Sequence, residues 1–486
     1  MLKTSPTSSF DCGRSARTAT SSRSMFILLG LLLVVCMSAT SFGQTPAPVD
    51  LPQGVRGPLG YADYPPVTLD SPAGLSTGSA RLLVFPAGAT SSREGFSSSF
   101  DANAAGNNSG TQHGAQTTSA ISHTSPIGGV VSGLDTVPTF AGDFAAQAGP
   151  SIGTVFPFII VGNDPHVGRT TRIPAKITAV SLQLLNADGS PRVLVPFGPF
   201  EDLTEDSPNF EESNFTSGRH IQYGDAINRA QFFNHMDDDW HTVLTGPRIV
   251  NRITLTIPRF VNVQFADGSV KPVQAYFLGQ APDGSFFVEL LDLLFNALNT
   301  NAVVNDIVAG NFTTDAFNIN MYPNTFLFSI DNQGQFAGCC VLGFHTYFRI
   351  GGVTPQPRWI FNFASWISPG IFGGGFQDVT ALSHEIAETI SDPFVNTRTP
   401  NWQFPGVPPT AKICQANLEE GDPIEVLPNV SIPIRLRERR EVFTYHPQII
   451  PLLQWFEMGA TSDAIGGAFS YPDTTTLPHS ALPCPI

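Results

Sequence analysis

One eighteen-residue segment, FQDVTALSHEIAETISDP (Phe376–Pro393), limits the folds open to this chain more than any other. Val379, Leu382, Ile386 and Ile390 recur at three- and four-residue spacing, an apolar helical stripe that other elements must cover. Asp378 is the expected N-cap, and Pro393 disfavours helical backbone at Asp392, so a helix is expected over Asp378–Ser391. On it His384 and Glu388 are four residues apart and project from one face, with Glu385 directly after the histidine. The fold must therefore bury this helix and still house three ionisable groups carried on it.

The layout is that of the zinc-hydrolase helix His-Glu-x-x-His, with glutamate in the second ligand position. A neutral imidazole and a side chain one turn on can grip one ion, while the intervening glutamate polarises a bound water as general base. A third ligand must come from elsewhere, and ANLEEGDP (Ala416–Pro423) offers Glu419 and Asp422. Asp392 is a poorer candidate, two turns from His384. A His/Glu/Glu set cancels the charge of Zn²⁺, so a bound water is less acidified, and oxygen ligands move preference toward Mn²⁺ or Ca²⁺. The same residues thus suit a slower hydrolase, another metal or a structural ion; they also suit the plain polar face of an amphipathic helix. His345 and His446 could each complete the ligand set, or serve as hydrogen-bonded core residues. His166, in GNDPHVGR, reads as a turn residue. The run MDDDWH (Met236–His241) reads as a solvated loop or helix cap, with a metal role as the alternative.

The rest of the chain supplies the cover. Residues 1–43 read as a secretory signal: Lys3, Arg14, Arg17 and Arg23 precede the apolar run Met25–Met37, and Ser41 and Gly43 stand at small-residue exit positions. Cleavage is expected near Gly43–Gln44, an uncleaved N-terminal anchor being the alternative. Residues 44–150 form a Ser/Thr/Gly-rich arm, linker or propeptide with ARLLVFPAG as its strand, and they carry His113 and His123 as exposed tract residues. Residues 151–300 are β-rich: FPFIIV, KITAVSLQLL and VNRITLTIP are strands, with Asp-Gly turn chemistry at Asn186–Gly189 and Ala266–Gly268. DAINRAQFFNHM (Asp225–Met236) has helical spacing, and FFVELLDLLFNALN (Phe286–Asn299) reads as a helix. Residues 301–486 hold the candidate metallohydrolase-like module. Beyond the signal region four cysteines remain, Cys339, Cys340, Cys414 and Cys484; pairing of the adjacent two with Cys414 and Cys484 is the favoured arrangement, against a four-thiolate zinc site.

Charge excludes several functions. Twenty-five Lys and Arg face 40 Asp and Glu, a net −15, and loss of residues 1–43 takes this to −18. Such a chain lacks the bases that displace counterions from nucleic acid or hold an anionic membrane surface. A membrane contact is expected only through an uncleaved N-terminal segment. No G-x-S-x-G stands at an expected strand-to-helix turn, and no P-loop or EF-hand pattern is present.

HEIAETISDP, CQANLEEGDP and YHPQIIPLLQWF together resemble a family of exported bacterial proteins. The C-terminal halves of that family carry an HEI-x-E-x-x-x-DP helix, a C-x-x-NLE-x-GDP segment and a YH-x-Q…WF segment. GCCVLGFH (Gly338–His345) resembles a further element, and the likeness spans roughly Gly338–Tyr471. A more distant similarity is to plant exordium-type (phosphate-induced) secreted proteins. The resemblance implies a zinc-peptidase-like module and marks His384, Glu385, Glu388, Asp392, Glu419 and Asp422. The expected protein is α+β, a β-rich N-terminal region packed with or followed by a mixed α/β metallo-module bearing the HExxE helix. Its expected function is that of an exported metal-dependent hydrolase acting on a peptide or protein. His384, Glu388 and Glu419 are the expected zinc ligands, Asp422 a further ligand or support for one, and Glu385 the general base. The alternative is a non-catalytic envelope or extracellular binding protein with a structural ion.

Overall fold

The computed structural model describes residues 82–84 and 137–480, with breaks at 214–220, 233–235, 247, 266, 282, 350–357, 373–374, 406–413, 426, 428, 439–440, 460–469 and 473. The expected signal segment, most of the 44–150 arm with His113 and His123, and Cys484 lie outside the described residues. The fold is mixed α+β and strand-rich. The main sheet and its cover are built from β1 (Thr170–Leu185), β2 (Pro191–Val195), α1 (Tyr223–Gln231), β3 (His241–Thr245), β4 (Ile249–Ile257), α2 (Asp292–Ala309), β5 (Phe317–Pro323), β6 (Gly343–Arg349), β7 (Arg358–Trp366) and α3 (Thr380–Ser391).

The seven-stranded sheet runs β6-β7-β5-β1-β2, with β3 and β4 also paired to β1. The length of β1, 16 residues, is what permits this. It pairs with β3 at 170–174, with β5 at 175–179, with β4 at 177–184 and with β2 beyond Leu182. The β1–β5 and β5–β7 ladders are parallel and β6 closes the edge antiparallel. The sheet draws strands from both sides of residue 300, so the 151–300 and 301–486 stretches pack around one core. Asn186–Gly189 turns β1 into β2, with Gly189 at φ 82°, a backbone state that glycine takes without steric cost.

FFVELLDLLFNALN departs from the expected single helix. Phe286–Leu291 is a strand between Tyr276–Gln280 and Thr325–Ile330 in a separate four-stranded sheet, and only from Asp292 does the chain coil into α2. A short apolar run buried on both faces has no period that separates strand from helix, and pairing on both edges decides the outcome here. The helix then runs on to Ala309 and stops at Gly310 in the left-handed conformation. Cys339 and Cys340 lie side by side across a cis peptide with their sulfurs adjacent, and Cys484, one of the two expected partners, lies outside the described residues.

Alternation along β6 and β7 sorts their side chains to two faces. Phe344 and Phe363 meet Phe295 of α2 in an aromatic core that Tyr322 of β5 joins through Phe363 and Phe361 joins through Phe344, with Phe295 and Phe363 ring centroids 4.5 Å apart. Gly343, His345 and Asn362 face α3, where Thr389 Oγ1 donates to Asn362 Oδ1 at 2.7 Å. No described helix is long and apolar enough to cross a membrane. Phe363 is fully buried. Phe363→Ala should therefore cost about 3–5 kcal/mol through lost burial and the cavity left behind, read as a lower urea midpoint at unchanged slope.

Candidate metal centre

The helix α3 starts at Thr380, two residues later than its sequence suggests, and ends at Ser391 as expected. Asp378 sits before it at φ 42° and does not cap it. Its Oδ1 accepts from the backbone of Val379 (2.6 Å) and His446 (2.8 Å), and its Oδ2 lies 2.7 Å from His446 Nδ1. His446 is thereby tied to the helix entrance and is no ligand of the cluster. The tie carries the next residues across α3, where Gln448 is completely buried.

Gln448 fixes the state of His384. Its Nε2 donates to the Gly421 carbonyl (2.8 Å), which leaves Oε1 facing His384 Nδ1 at 2.9 Å. An amide oxygen only accepts, so Nδ1 carries a proton in either charge state, and when the ring is neutral Nε2 presents its lone pair. That lone pair looks at two carboxylate oxygens, Glu388 Oε1 at 3.0 Å and Asp422 Oδ1 at 3.4 Å. Gln448 is held in turn by Ser383 Oγ on its own N–H and by the Tyr223 hydroxyl on its carbonyl. Gly421 donates to Glu388 Oε1 at 2.9 Å, and any Cβ there would collide with the His384 ring. A glycine at this turn is therefore a condition of the site.

On the other side of Glu388 stands His345, delivered by alternation on β6. Its Nδ1 lies 3.2 Å from Glu388 Oε2, 3.7 Å from Glu419 Oε2 and 3.8 Å from Glu385 Oε2. The candidate ligands thus fall into two groups, each with its atoms within 4.8 Å of one another: His384, Glu388 and Asp422, and His345, Glu385 and Glu388. Asp422 joins the His384–Glu388 pair because the turn Asp422–Ile424 directs it there, with Gln415 Nε2 holding its Oδ2 at 2.8 Å. Glu419 faces His345 instead. The carboxylate of Asp392 accepts from the backbone of Asn396 and Thr397 and shapes the helix exit. Elsewhere, Asp237, Asp238 and Asp239 are exposed, and His241 pairs with Asp225. His166 pairs with Asp164 at an exposed turn.

The electrostatics favour added positive charge in the cluster, which protons supply in the absence of an ion. Burial raises the Glu385 carboxyl from 4.5 to about 7 against the pull of His384 and His345. Burial would raise Glu388 too, but the same two imidazoles bring it down to about 2. Burial opposes charge on the histidines and the facing carboxylates overcome it, so both His345 and His384 are raised. Burial pushes Glu419 and Glu420 well above the carboxylate range. A metal-free cluster must therefore hold extra protons, a role that a divalent ion fills instead.

His345 was one of two open histidines in the sequence, and its place inside an alternating apolar strand is the signal that favours it. Gln448 and Gly421 escape a search for ionisable ligands because both are neutral; the Gln in TYHPQ and the Gly in EEGDP are the marks that lead to them. No protein-family model, curated protein or solved structure matches the chain.

Gln448→Ala frees the His384 ring and should weaken metal binding about 10–100-fold, measured by competition with a chelator. The pH dependence follows from the shifts. Between its ordinary 4.5 and about 7, folded Glu385 keeps a proton that the unfolded chain has lost, so metal-free stability falls as pH rises. The raised histidines act in the same sense, their contribution being complete below 6.5 and lost as pH climbs through their higher folded values. Within the cluster Glu388 opposes this, its contribution being lost only as pH drops from 4.5 toward about 2. Chelated protein should melt highest in mildly acidic buffer, and metal-loaded protein should gain Tm as pH rises and proton competition falls. Parallel Tm profiles with and without chelator would refute the assignment.

Proposed function

We propose that the chain is an exported metal-dependent hydrolase acting on peptide or protein substrates, its ion held by His384, Glu388 and Asp422. The observation that carries the reading is the convergence of His384 Nε2, Glu388 and Asp422, with the other imidazole nitrogen tied to Gln448. The donor set fits a divalent ion: one imidazole lone pair and carboxylate oxygens meet where burial forbids uncompensated charge. Zinc suits the imidazole, and Mn²⁺ or Ca²⁺ suits the surplus of oxygens. Bound there, such an ion acidifies a water and polarises a carbonyl.

Glu385 is the general base in this reading. It follows His384 on the helix, its Oε2 accepts no hydrogen bond, and burial raises it toward neutrality, where a base both takes and returns a proton. Gly343 lets it lie against β6, since a Cβ there would meet both its carboxylate and the Phe363 carbonyl. Export rests on the N-terminal apolar run. Burial favours a second reading, a non-catalytic envelope or extracellular protein with a structural ion, because the Glu388 and Asp422 side chains have 0% exposure.

The two readings part on one variant. Glu385→Gln should retain metal and lose at least a hundredfold of the cleavage rate on a peptide mixture, about the share of a general base. Activity that survives in Glu385→Gln, or wild-type protein that binds metal without cleaving, would leave the structural ion as the reading to keep.

A further inference from the structure

Two oxygens of one carboxylate face two different histidines. Glu388 Oε1 lies 3.0 Å from His384 Nε2, and Oε2 lies 3.2 Å from His345 Nδ1. We propose that the centre is built for two divalent cations bridged by Glu388. The first is held by His384 and Asp422, and the second by His345, Glu385 and Glu419; the proposal rests on the metal-site reading above and extends it.

The second position is carried by its own observations. Glu385 Oε2, Glu388 Oε2 and Glu419 Oε2 are buried and accept no hydrogen bond, yet all three close on the same ring nitrogen. Among the described residues His345 Nε2 also finds no partner, and the polar contacts of the ring come from the acids. Carboxylates buried without hydrogen bonds are expensive, and three of them around one imidazole are more so. A proton on the ring would answer for one of their charges. Counted across both positions, Glu385, Glu388, Glu419 and Asp422 carry the charge that two divalent ions cancel, with both histidines neutral. One ion in the first position leaves the acids around His345 without that compensation. Glu388 is the natural bridge, because a carboxylate spanning two ions sets them about 3.5–4 Å apart. Both histidines then enter as neutral ligands.

The assignment also changes the part Glu385 plays. As a ligand in the second position it would be free to act as a base only while that position is empty. Glu385→Gln would then retain the first ion, as the reading above expects, and lose the second along with turnover.

The test is metal stoichiometry of the full chain after dialysis against excess Zn²⁺ and removal of loosely held ion. Two equivalents per chain are expected, falling to one in His345→Ala and in Asp422→Ala, and to none in Glu388→Ala. A wild-type value of one, unchanged in His345→Ala, overturns the second site and leaves the proposed function standing. A value of zero overturns both. Should the variants fail to fold, the wild type loaded with Mn²⁺ decides alone: two bridged ions give an exchange-coupled EPR spectrum, and an uncoupled Mn²⁺ spectrum at full loading refutes the bridge.

Discussion

A carboxylate with no exposure at all, set between two imidazoles, is the constraint on which this structure turns. Glu388 is held by the Gly421 N–H and faces His384 on one oxygen and His345 on the other. Burying a charge is tolerable only with partners already in place, because side chains recruited late leave the group unpaired in a low dielectric. Much of the local architecture is explicable as the supply of those partners. The parallel β5–β7 ladder seats α3, and the antiparallel edge strand β6 brings His345 under it. Two glycines, Gly343 and Gly421, remove the Cβ atoms that would stand in the way.

The aromatic core has a matching role. Rigid rings on one face of β6 and β7 fix those strands, so that the polar residues on the opposite face have no freedom to drift from α3. Four of the chain's 38 phenylalanines, Phe295, Phe344, Phe361 and Phe363, serve in this way. The chain carries few charges, and many of its acids near α3 are concentrated in a buried cluster rather than spread over solvent-facing surface.

What could be read from the sequence follows the range of the interaction. The spacing of His384 and Glu388 is local, set by helical pitch, and so is the stop before Pro393. The hairpin at Asn186–Gly189 is local in the same way. Assignment of Glu419 and Asp422 is not, since a single turn of 3₁₀ helix decides which of two acids three residues apart faces which histidine. Phe286–Leu291 reads as helix because its apolar run has no distinguishing period, and of its two strand partners one, Tyr276–Gln280, is adjacent while the other, Thr325–Ile330, lies beyond a whole helix. Asp378 looked like a cap by position, yet its carboxylate is engaged by a residue 68 positions away.

The separation of these parts along the chain bears on how the centre comes into being. Gln448 orients His384 across 64 residues, and the tie between Asp378 and His446 closes a loop of similar size. A growing polypeptide that has made the whole of α3 therefore still lacks the groups that set its histidine. Nascent chains ending before Gln448 have the motif without the residue that orients its histidine.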